Sequence, residues 1–361
     1  MTLRVMHIDT ERGWRGGERQ ALWLARELHR RGYGTVIAAR AGEPLFERAT
    51  SAGLTCIECA PANDLAMLAA MGLRRSLRDH AVDVVHAHTA QAVGVAALAT
   101  AGTGIPLVVS RRVDFALNRN LGTKLKYAST AKFIAISHAV AGVLERGGIA
   151  RERICVVPDG VDVHRRVEPA SPDTLGALGI PRGAPLVVQV AQLVGHKDPL
   201  TFVRAMARVH EQVPNAAALM VGDGALGGEV EREIRALGLD AVVRLAGYRT
   251  DADSLLAAAT VATLSSSEEG MGSVLLDAFV LGRPVAATRA GGIPEVVVDG
   301  ESGLLAPVRD PRALGDAVVS LLRDNALRER VTNNARRRAM EFSIEVMTDR
   351  TIEVYAEVLN R

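Results

Sequence analysis

Two successions of short β-branched runs, each alternating with helical stretches, limit this chain to a pair of parallel α/β units. The first reads "LRVMHI" (3–8), "GTVIAA" (34–39), "DVVHA" (83–87), "PLVVS" (106–110), "KFIAI" (132–136) and "ICVVP" (154–158). Between them lie helical patterns such as "GGERQALWLARELHRRG" (16–32), where Leu22, Ala25 and Leu28 fall three apart and Gly32 marks a stop. Near-continuous apolar strands separated by helices need cover on both faces, which indicates a parallel sheet. "RRVEPASPDTLGALGIPRGAP" (165–185), rich in proline and glycine, interrupts the pattern. It then restarts with "LVVQVA" (186–191), "AALMVG" (217–222), "VVRLAG" (242–247), "VATLS" (261–265), "PVAAT" (284–288) and "GLLAP" (303–307).

At 361 residues the chain suits two cores. The expectation is an α/β protein with two Rossmann-like domains, residues 1–165 and 183–342, joined by a linker at 166–182. A C-terminal helix (343–361) is expected to pack back on the first domain. Ligands of open α/β sheets sit at the carboxyl ends of the strands, so a site is expected in a cleft where the two domains face each other.

Aromatic residues make up only 3% of the chain, which argues against a stacking surface for single-stranded nucleic acid. No apolar run nears the roughly 20 residues of a bilayer span, and no signal-peptide pattern is read, so a cytoplasmic chain is expected. Cys56 and Cys59 form a lone C-x-x-C in "TCIECA"; without a second pair they read as buried or edge-strand thiols. Charge is uneven. Residues 1–166 hold 23 Lys/Arg against 15 Asp/Glu, and residues 167–361 hold 20 against 26. A basic first half faces something anionic: nucleic acid, an anionic membrane or an acidic acceptor. Solvated arginine-rich faces account for it equally well.

"SSSEEGMGSVLLDA" (265–278) carries the most chemistry. The strand "VATLS" ends at Ser265, and a glycine-punctuated loop leads to a helix beginning near Gly272, with Ser273 as a cap. Amide groups at a helix N-terminus favour anions, above all phosphate. Glu269 lies in that loop and Asp277 one helical turn in. Carboxylates beside phosphate need hydrogen-bond donors, and sugar hydroxyls are such donors. The spacing suits a ligand with phosphates and vicinal hydroxyls, a nucleotide sugar. A capping cluster with solvated carboxylates explains the loop alone as well. Lys197 in "VAQLVGHKDP" (190–199) follows the first strand of the second half, where an ammonium neutralises a diphosphate. "AGGIPE" (290–295) supplies another glycine turn before a helix.

Together with "VGDGAL", "LAGYRTD" and "RGGERQALWLARELHRRGYGTVIAAR", these segments resemble the retaining glycosyltransferases of family 4, over nearly the whole chain. That family has the GT-B fold. "WRGGERQ" is similar to bacterial branches that build cell-surface polysaccharide or lipopolysaccharide core. The resemblance implies that Glu269 contacts the donor sugar, Lys197 the diphosphate and Asp277 the ribose diol. It places Met271, Gly272, Ser273 and Val274 around the pyrophosphate and sugar, and Gly16 and Gly17 in a glycine loop near the phosphate. Tyr248 and Arg249, in the "AGYR" turn, fall near the base. It implies a nucleotide-diphosphate sugar as co-substrate, no cofactor and no metal, and a glycan or glycolipid acceptor.

Three departures stand out. Asp277 replaces the usual glutamate, Gln192 replaces an arginine, and "RRVD" follows "PLVVS" where many relatives carry a histidine. Arg111 or Arg112 would supply charge there, with Asp114 the only nearby carboxylate. Arg12, Arg15 and Arg19 beside the glycine loop suggest a phosphorylated glycolipid or an anionic membrane, at the inner face of the cytoplasmic membrane. Nucleic acid is not expected as a partner.

Other motifs have plainer readings. "GDGALG" (222–227) matches a dinucleotide fingerprint, but no acid ends the next strand, so a turn is expected. "DAD" (251–253) reads as a helix cap. "HAH" (86–88) lacks the further ligands of a zinc site, although His88 falls at a strand end facing the expected cleft. A sugar-nucleotide epimerase of the same two-domain plan remains open, as does, on "GDGALG" alone, a nicotinamide-dependent oxidoreductase.

Overall fold

The computed structural model describes residues 3–63, 66–117 and 121–360. Seven parallel strands form the first sheet: Arg4–Ile8 (β1), Gly34–Ala39 (β2), Thr55–Glu58 (β3), Val84–Ala87 (β4), Leu107–Arg111 (β5), Thr130–Ala135 (β6) and Ile154–Val156 (β7), in the order β3-β2-β1-β4-β5-β6-β7. Six form the second: Leu186–Val190 (β8), Ala217–Val221 (β9), Val243–Leu245 (β10), Val261–Leu264 (β11), Val285–Thr288 (β12) and Leu304–Ala306 (β13), in the order β10-β9-β8-β11-β12-β13. Each sheet reverses its direction of growth at its centre, between β1 and β4 and between β8 and β11. At such a switch point the loops leaving the two central strands diverge and open a crevice.

The chain divides into two compact units, Met1–Gly160 with Ile344–Arg361, and Val161–Ser343. In the first, helix Gly16–Arg30 buries Leu22, Leu24, Ala25 and Leu28. The C-terminal helix Ile344–Leu359 returns to this unit: Met347, Val354, Tyr355 and Val358 share a core with Val5, Leu24, Leu28, Val84 and Val108. Arg31 pairs with Asp349, and Lys132 Nζ lies 2.6 Å from Glu357 Oε1. Tyr355 OH lies 2.7 Å from Nδ1 of His86, in the middle of β4.

Two sequence expectations need correction. The stretch 166–182 is no free linker. It belongs to the second unit and includes helix Pro172–Ala177. The Ala170 amide donates to the Ser254 carbonyl at 2.9 Å, and Ile180 is buried. Ser171 caps this helix, Pro172 opens it, and Gly179 (φ 76°) turns the chain after it. β3 was missing from the expected strands because, as an edge strand, it is short and exposes Thr55 and Glu58. Cys56 lies on it, and burial pushes the Cys59 thiol up to about 11, far from the reactive range. No helix among the described residues is long and apolar enough to cross a membrane.

Replacing Tyr355 by phenylalanine removes the hydroxyl bonded to buried His86. The expected loss is about 1–3 kcal/mol, read as a lower urea midpoint. An unchanged midpoint would show that this bond does not hold the C-terminal helix.

Candidate active site

In the second unit, the loops leaving β8 and β11 meet at the carboxyl edge of the sheet. After β8 the chain makes one 3-10 turn, Gly195–Lys197, then enters helix Pro199–Gln212. Asp198 adopts a left-handed conformation (φ 45°). It caps the helix, its Oδ1 accepting from the Thr201 amide at 3.3 Å and its Oδ2 from the Thr201 hydroxyl at 2.7 Å. Pro199 at the first helical position needs no amide partner. This "DP" cap fixes Lys197 just ahead of it.

The β11 loop is tied to the same place. Buried Ser265 donates its hydroxyl to the carbonyls of Lys197 (3.1 Å) and Asp198 (2.9 Å), and its amide to Gln189 Oε1 (3.1 Å). The amides of Ser267 and Glu268 both reach the His196 carbonyl. The outcome is an ion pair between Lys197 Nζ and Glu269 Oε2, whose side chains are 21% and 11% exposed. Ser266 Oγ donates to the same Glu269 oxygen at 3.0 Å, and the Gly292 amide of the "AGGIPE" turn holds the Glu269 carbonyl at 2.9 Å.

Helix Ser273–Val280 begins beside this pair. Its cap is Gly272 (φ 80°), not Ser273, which is already helical. A Cβ on Gly272 would stand 3.3 Å from Leu264, Leu275 and Ile293 side chains, so both backbone and packing select glycine. The Leu275 amide bonds the Gly272 carbonyl; the amides of Ser273 and Val274 have no acceptor within the helix. Met271 and Gly272 are buried, and Ser273 and Val274 half-buried.

Asp277 lies in the second turn, its side chain 4% exposed, and its Oδ1 accepts from Arg165 Nη2 at 3.0 Å. Arg165 Nη1 also reaches Asp253 at 2.6 Å. The "DAD" reading as a cap therefore needs correction. Asp251 stands at the cap position, but its carboxylate takes Arg249 through two bonds of 2.7 Å, and Asp253 takes Arg165. Tyr248 is 59% exposed, and Gln192 is exposed.

"GDGALG" is explained by packing. A Cβ on Gly222 would lie 2.1 Å from the Ala191 carbonyl oxygen, and one on Gly224 would lie 2.4 Å from that of Leu193. These glycines let the β9 turn press against the loop that carries Gln192 and Lys197.

The first unit's switch point is polar and buried. Gly16 and Gly17 form the first turn of helix Gly16–Arg30, and Glu18 caps it by accepting from the Arg15 amide at 2.7 Å. The Arg12 and Arg15 side chains are exposed, and Asp114 is half-buried. The carboxylate beside Arg112 is not Asp114 but Asp159, whose Oδ1 lies 3.0 Å from Arg112 Nε. Asp159 follows β7, and the parallel sheet brings its carboxyl edge to that of β5. Arg112 Nη1 lies 3.2 Å from His88 Nδ1. A guanidinium only donates, so His88 carries its proton on Nε2 and donates it to His7 Nδ1 at 3.0 Å. The His7 proton then falls on Nε2, which is buried without a partner.

His7, His86 and His88 place one ring nitrogen each within 4.8 Å of one another, the geometry of a candidate metal group. Hydrogen bonds already engage both nitrogens of His86, through Tyr355 and Ser110, and Arg112 opposes a further cation. Burial pulls His7 down to about 3 and holds His86 and His88 well below the ordinary imidazole range. His88 is 6% exposed, so it lies inside the unit rather than on an open face.

Sequence reasoning missed Asp9, at the end of β1. It is 2% exposed; one oxygen accepts from the Glu11 amide at 3.1 Å and the other is buried without a partner. Burial, then the Glu18 carboxylate, push it up to about 7. The signal was available: "HID" closes an apolar strand with polar residues at a sheet's centre.

Residues 14–165 match the family described as Glycosyltransferase Family 4, and residues 172–338 match Glycosyl transferases group 1. The chain is 32% identical over 180 residues to the lipopolysaccharide core biosynthesis glycosyltransferase LpsE of Rhizobium meliloti, covering 50% of this chain and 52% of that protein. It is 30% identical over 308 residues to the D-inositol 3-phosphate glycosyltransferase of Xylanimonas cellulosilytica, covering 77% and 73%. The solved structure of Anabaena Alr3699/HepE in complex with UDP-glucose superposes with a TM-score of 0.84 at 22% identity, covering 98% of this chain and 100% of that one, a likeness of fold. The chain spans about half the length of the first curated relatives it matches, 52% to 54%. It belongs to glycosyltransferase family 4 and has the GT-B fold.

Because the folded carboxyl of Asp9 titrates near 7 rather than 3.8, its neutral form is the one the fold accepts. Its contribution is full below the ordinary value and is lost as pH rises through the folded one. Asp9→Asn should therefore stabilise more at pH 8 than at pH 5, by up to about 4 kcal/mol at the higher pH. Equal gains at both pH values in urea unfolding would contradict the shift.

Proposed function

We propose that the chain transfers a sugar from a UDP-sugar to a glycan or glycolipid acceptor, with retention of configuration. The observation that carries this is the Lys197–Glu269 pair beside the amino end of helix Ser273–Val280, at the switch point of the second sheet. A diphosphate would take Lys197 and the amides of Ser273 and Val274. Glu269, released from Lys197, would accept hydrogen bonds from sugar hydroxyls. Asp277 would share its lone pairs between Arg165 and the ribose, and the exposed ring of Tyr248 offers a face to the base. Gln192 would contribute a neutral polar contact in place of a charged one.

Leaving-group stabilisation is the chemistry such a site performs. Donors fixed in place before the bond breaks lower a barrier by several kcal/mol without reorganising. Lys197 and the helix amides would supply the positive potential, so the reaction calls for no metal. The departing phosphate would take the acceptor's proton, and Glu269 would hold the sugar rather than attack it. The uridine reading draws on the fold likeness to a protein solved with UDP-glucose, and the glycolipid reading on the likeness to a lipopolysaccharide core transferase. In the first unit, Arg12, Arg15 and Arg112 offer cations to an anionic acceptor near Gly16 and Gly17.

The test is a split between transfer and binding. Glu269→Ala should lower transfer by roughly 10³-fold while the unfolding midpoint stays near wild type. The same variant should bind UDP at least as tightly as wild type by calorimetry, because its Lys197 is no longer paired. Near-normal turnover would remove Glu269 from the sugar, and lost UDP binding would remove Lys197 from the diphosphate.

A further inference from the structure

A groove of about 380 Å³ opens at the amino edge of the second sheet, the edge opposite the Lys197–Glu269 pair. Thr260 and Pro284, which precede β11 and β12, line it. So do Gly282 and Arg283, at the exit of helix Ser273–Val280, and Arg328 and Arg336 of helix Asn325–Ala339. A groove of this size is large enough for a small metabolite.

The local sequence builds the place. Helix Ser273–Val280 ends with the Gly282 amide bonded to the Phe279 carbonyl (3.0 Å) and the Arg283 amide to the Ala278 carbonyl (2.8 Å). That ending holds Gly282 at φ 66°, where glycine is favoured. Glycine is needed there a second time, because a Cβ would lie 2.6 Å from Cζ of Arg336. The Arg336 guanidinium thus rests on the Gly282 backbone. Arg283 is fixed by two carbonyls, its Nε donating to Leu281 at 3.1 Å and its Nη1 to Ala259 at 3.0 Å. Arg328, Thr332 and Arg336 follow at four-residue spacing, so they run along one face of their helix.

Charge then defines the ligand. Among the described residues no carboxylate pairs with Arg283, Arg328 or Arg336, and Arg336 has no hydrogen-bond acceptor. Burial, and then Arg336, hold Arg283 below the usual guanidinium range. Arg283 offsets the carbonyl end of its helix; Arg336 offsets nothing. Exposed Glu329 is the only acid that lines the groove. Two neighbouring guanidiniums without a counter-charge match a phosphate dianion, whose oxygens accept several N–H groups at once. The Thr332 hydroxyl donates to the Arg328 carbonyl at 2.7 Å, which leaves its oxygen able to accept from a ligand hydroxyl. We infer that this groove binds a small hydroxylated phosphate ester, with the phosphate between Arg283 and Arg336. The site goes beyond the transfer reaction proposed above and does not depend on it.

The experiment is titration calorimetry on the full chain saturated with UDP, so that the Lys197 site is filled. The probes are glucose 6-phosphate, inorganic phosphate and glucose. Wild type should bind glucose 6-phosphate about tenfold more tightly than inorganic phosphate, and should not bind glucose. Arg336→Gln should weaken glucose 6-phosphate about tenfold, with UDP affinity and the urea midpoint unchanged. Glu329→Gln should tighten it, a gain that damage to the fold would not give. Lys197→Ala, without UDP, should keep the binding. A wild type silent toward both phosphates overturns the inference, as does binding that survives Arg336→Gln. Binding lost in Lys197→Ala but kept in Arg336→Gln puts the phosphate at the donor site and overturns it too. Equal affinity for inorganic phosphate and the ester overturns the ester. A chain that fails to bind UDP but keeps Arg336-dependent binding leaves the groove standing and counts against the reaction instead.

Discussion

The ion pair between Lys197 and Glu269 joins residues 72 apart in sequence at a half-buried position, where two charges are retained only if their surroundings hold them in register. That requirement explains much of the local structure. Asp198 and Pro199 set the helix start behind Lys197, and Ser265 ties the two loops through the carbonyls of Lys197 and Asp198. Gly222 and Gly224 let the neighbouring turn press in behind. A site built this way neutralises itself when empty. The proposed donor would bring an anion for the ammonium and hydroxyls for the carboxylate together.

Much of this was legible before any coordinates. Strands buried on both faces must be apolar throughout, so runs such as "LVVQV" and "AALMV" announced themselves, whereas the half-polar edge strand Thr55–Glu58 did not. Glycines, Glu269 and Lys197 marked the two loops that the ion pair joins beside the start of helix Ser273–Val280. What stayed hidden was pairing at long range. Arg165, in a stretch that reads as a linker, meets partners 88 and 112 residues further on. No local pattern encodes such a contact, because its energy comes from burial that only the folded sheet provides.

The first unit shows the same limit with more at stake. His7 meets His88 across 81 residues, and Arg112 meets Asp159 across 47. The resulting chain of donors runs from a guanidinium through two neutral imidazoles to an unpartnered N–H. Its electrostatics follow from burial. Neutral imidazoles and a carboxyl titrating near 7 are what a dry interior permits, and the Arg112 guanidinium is held there by the Asp159 carboxylate. The C-terminal helix completes this arrangement through Tyr355, so the end of the sequence belongs to the unit that begins it.

Whether the second unit's charges serve a diphosphate is decided most directly by a crystal structure of the chain with UDP. The account predicts diphosphate oxygens within about 3 Å of Lys197 Nζ and of the Ser273 or Val274 amide, with Lys197 withdrawn from Glu269. An intact Lys197–Glu269 pair with the nucleotide bound elsewhere on the unit would contradict it.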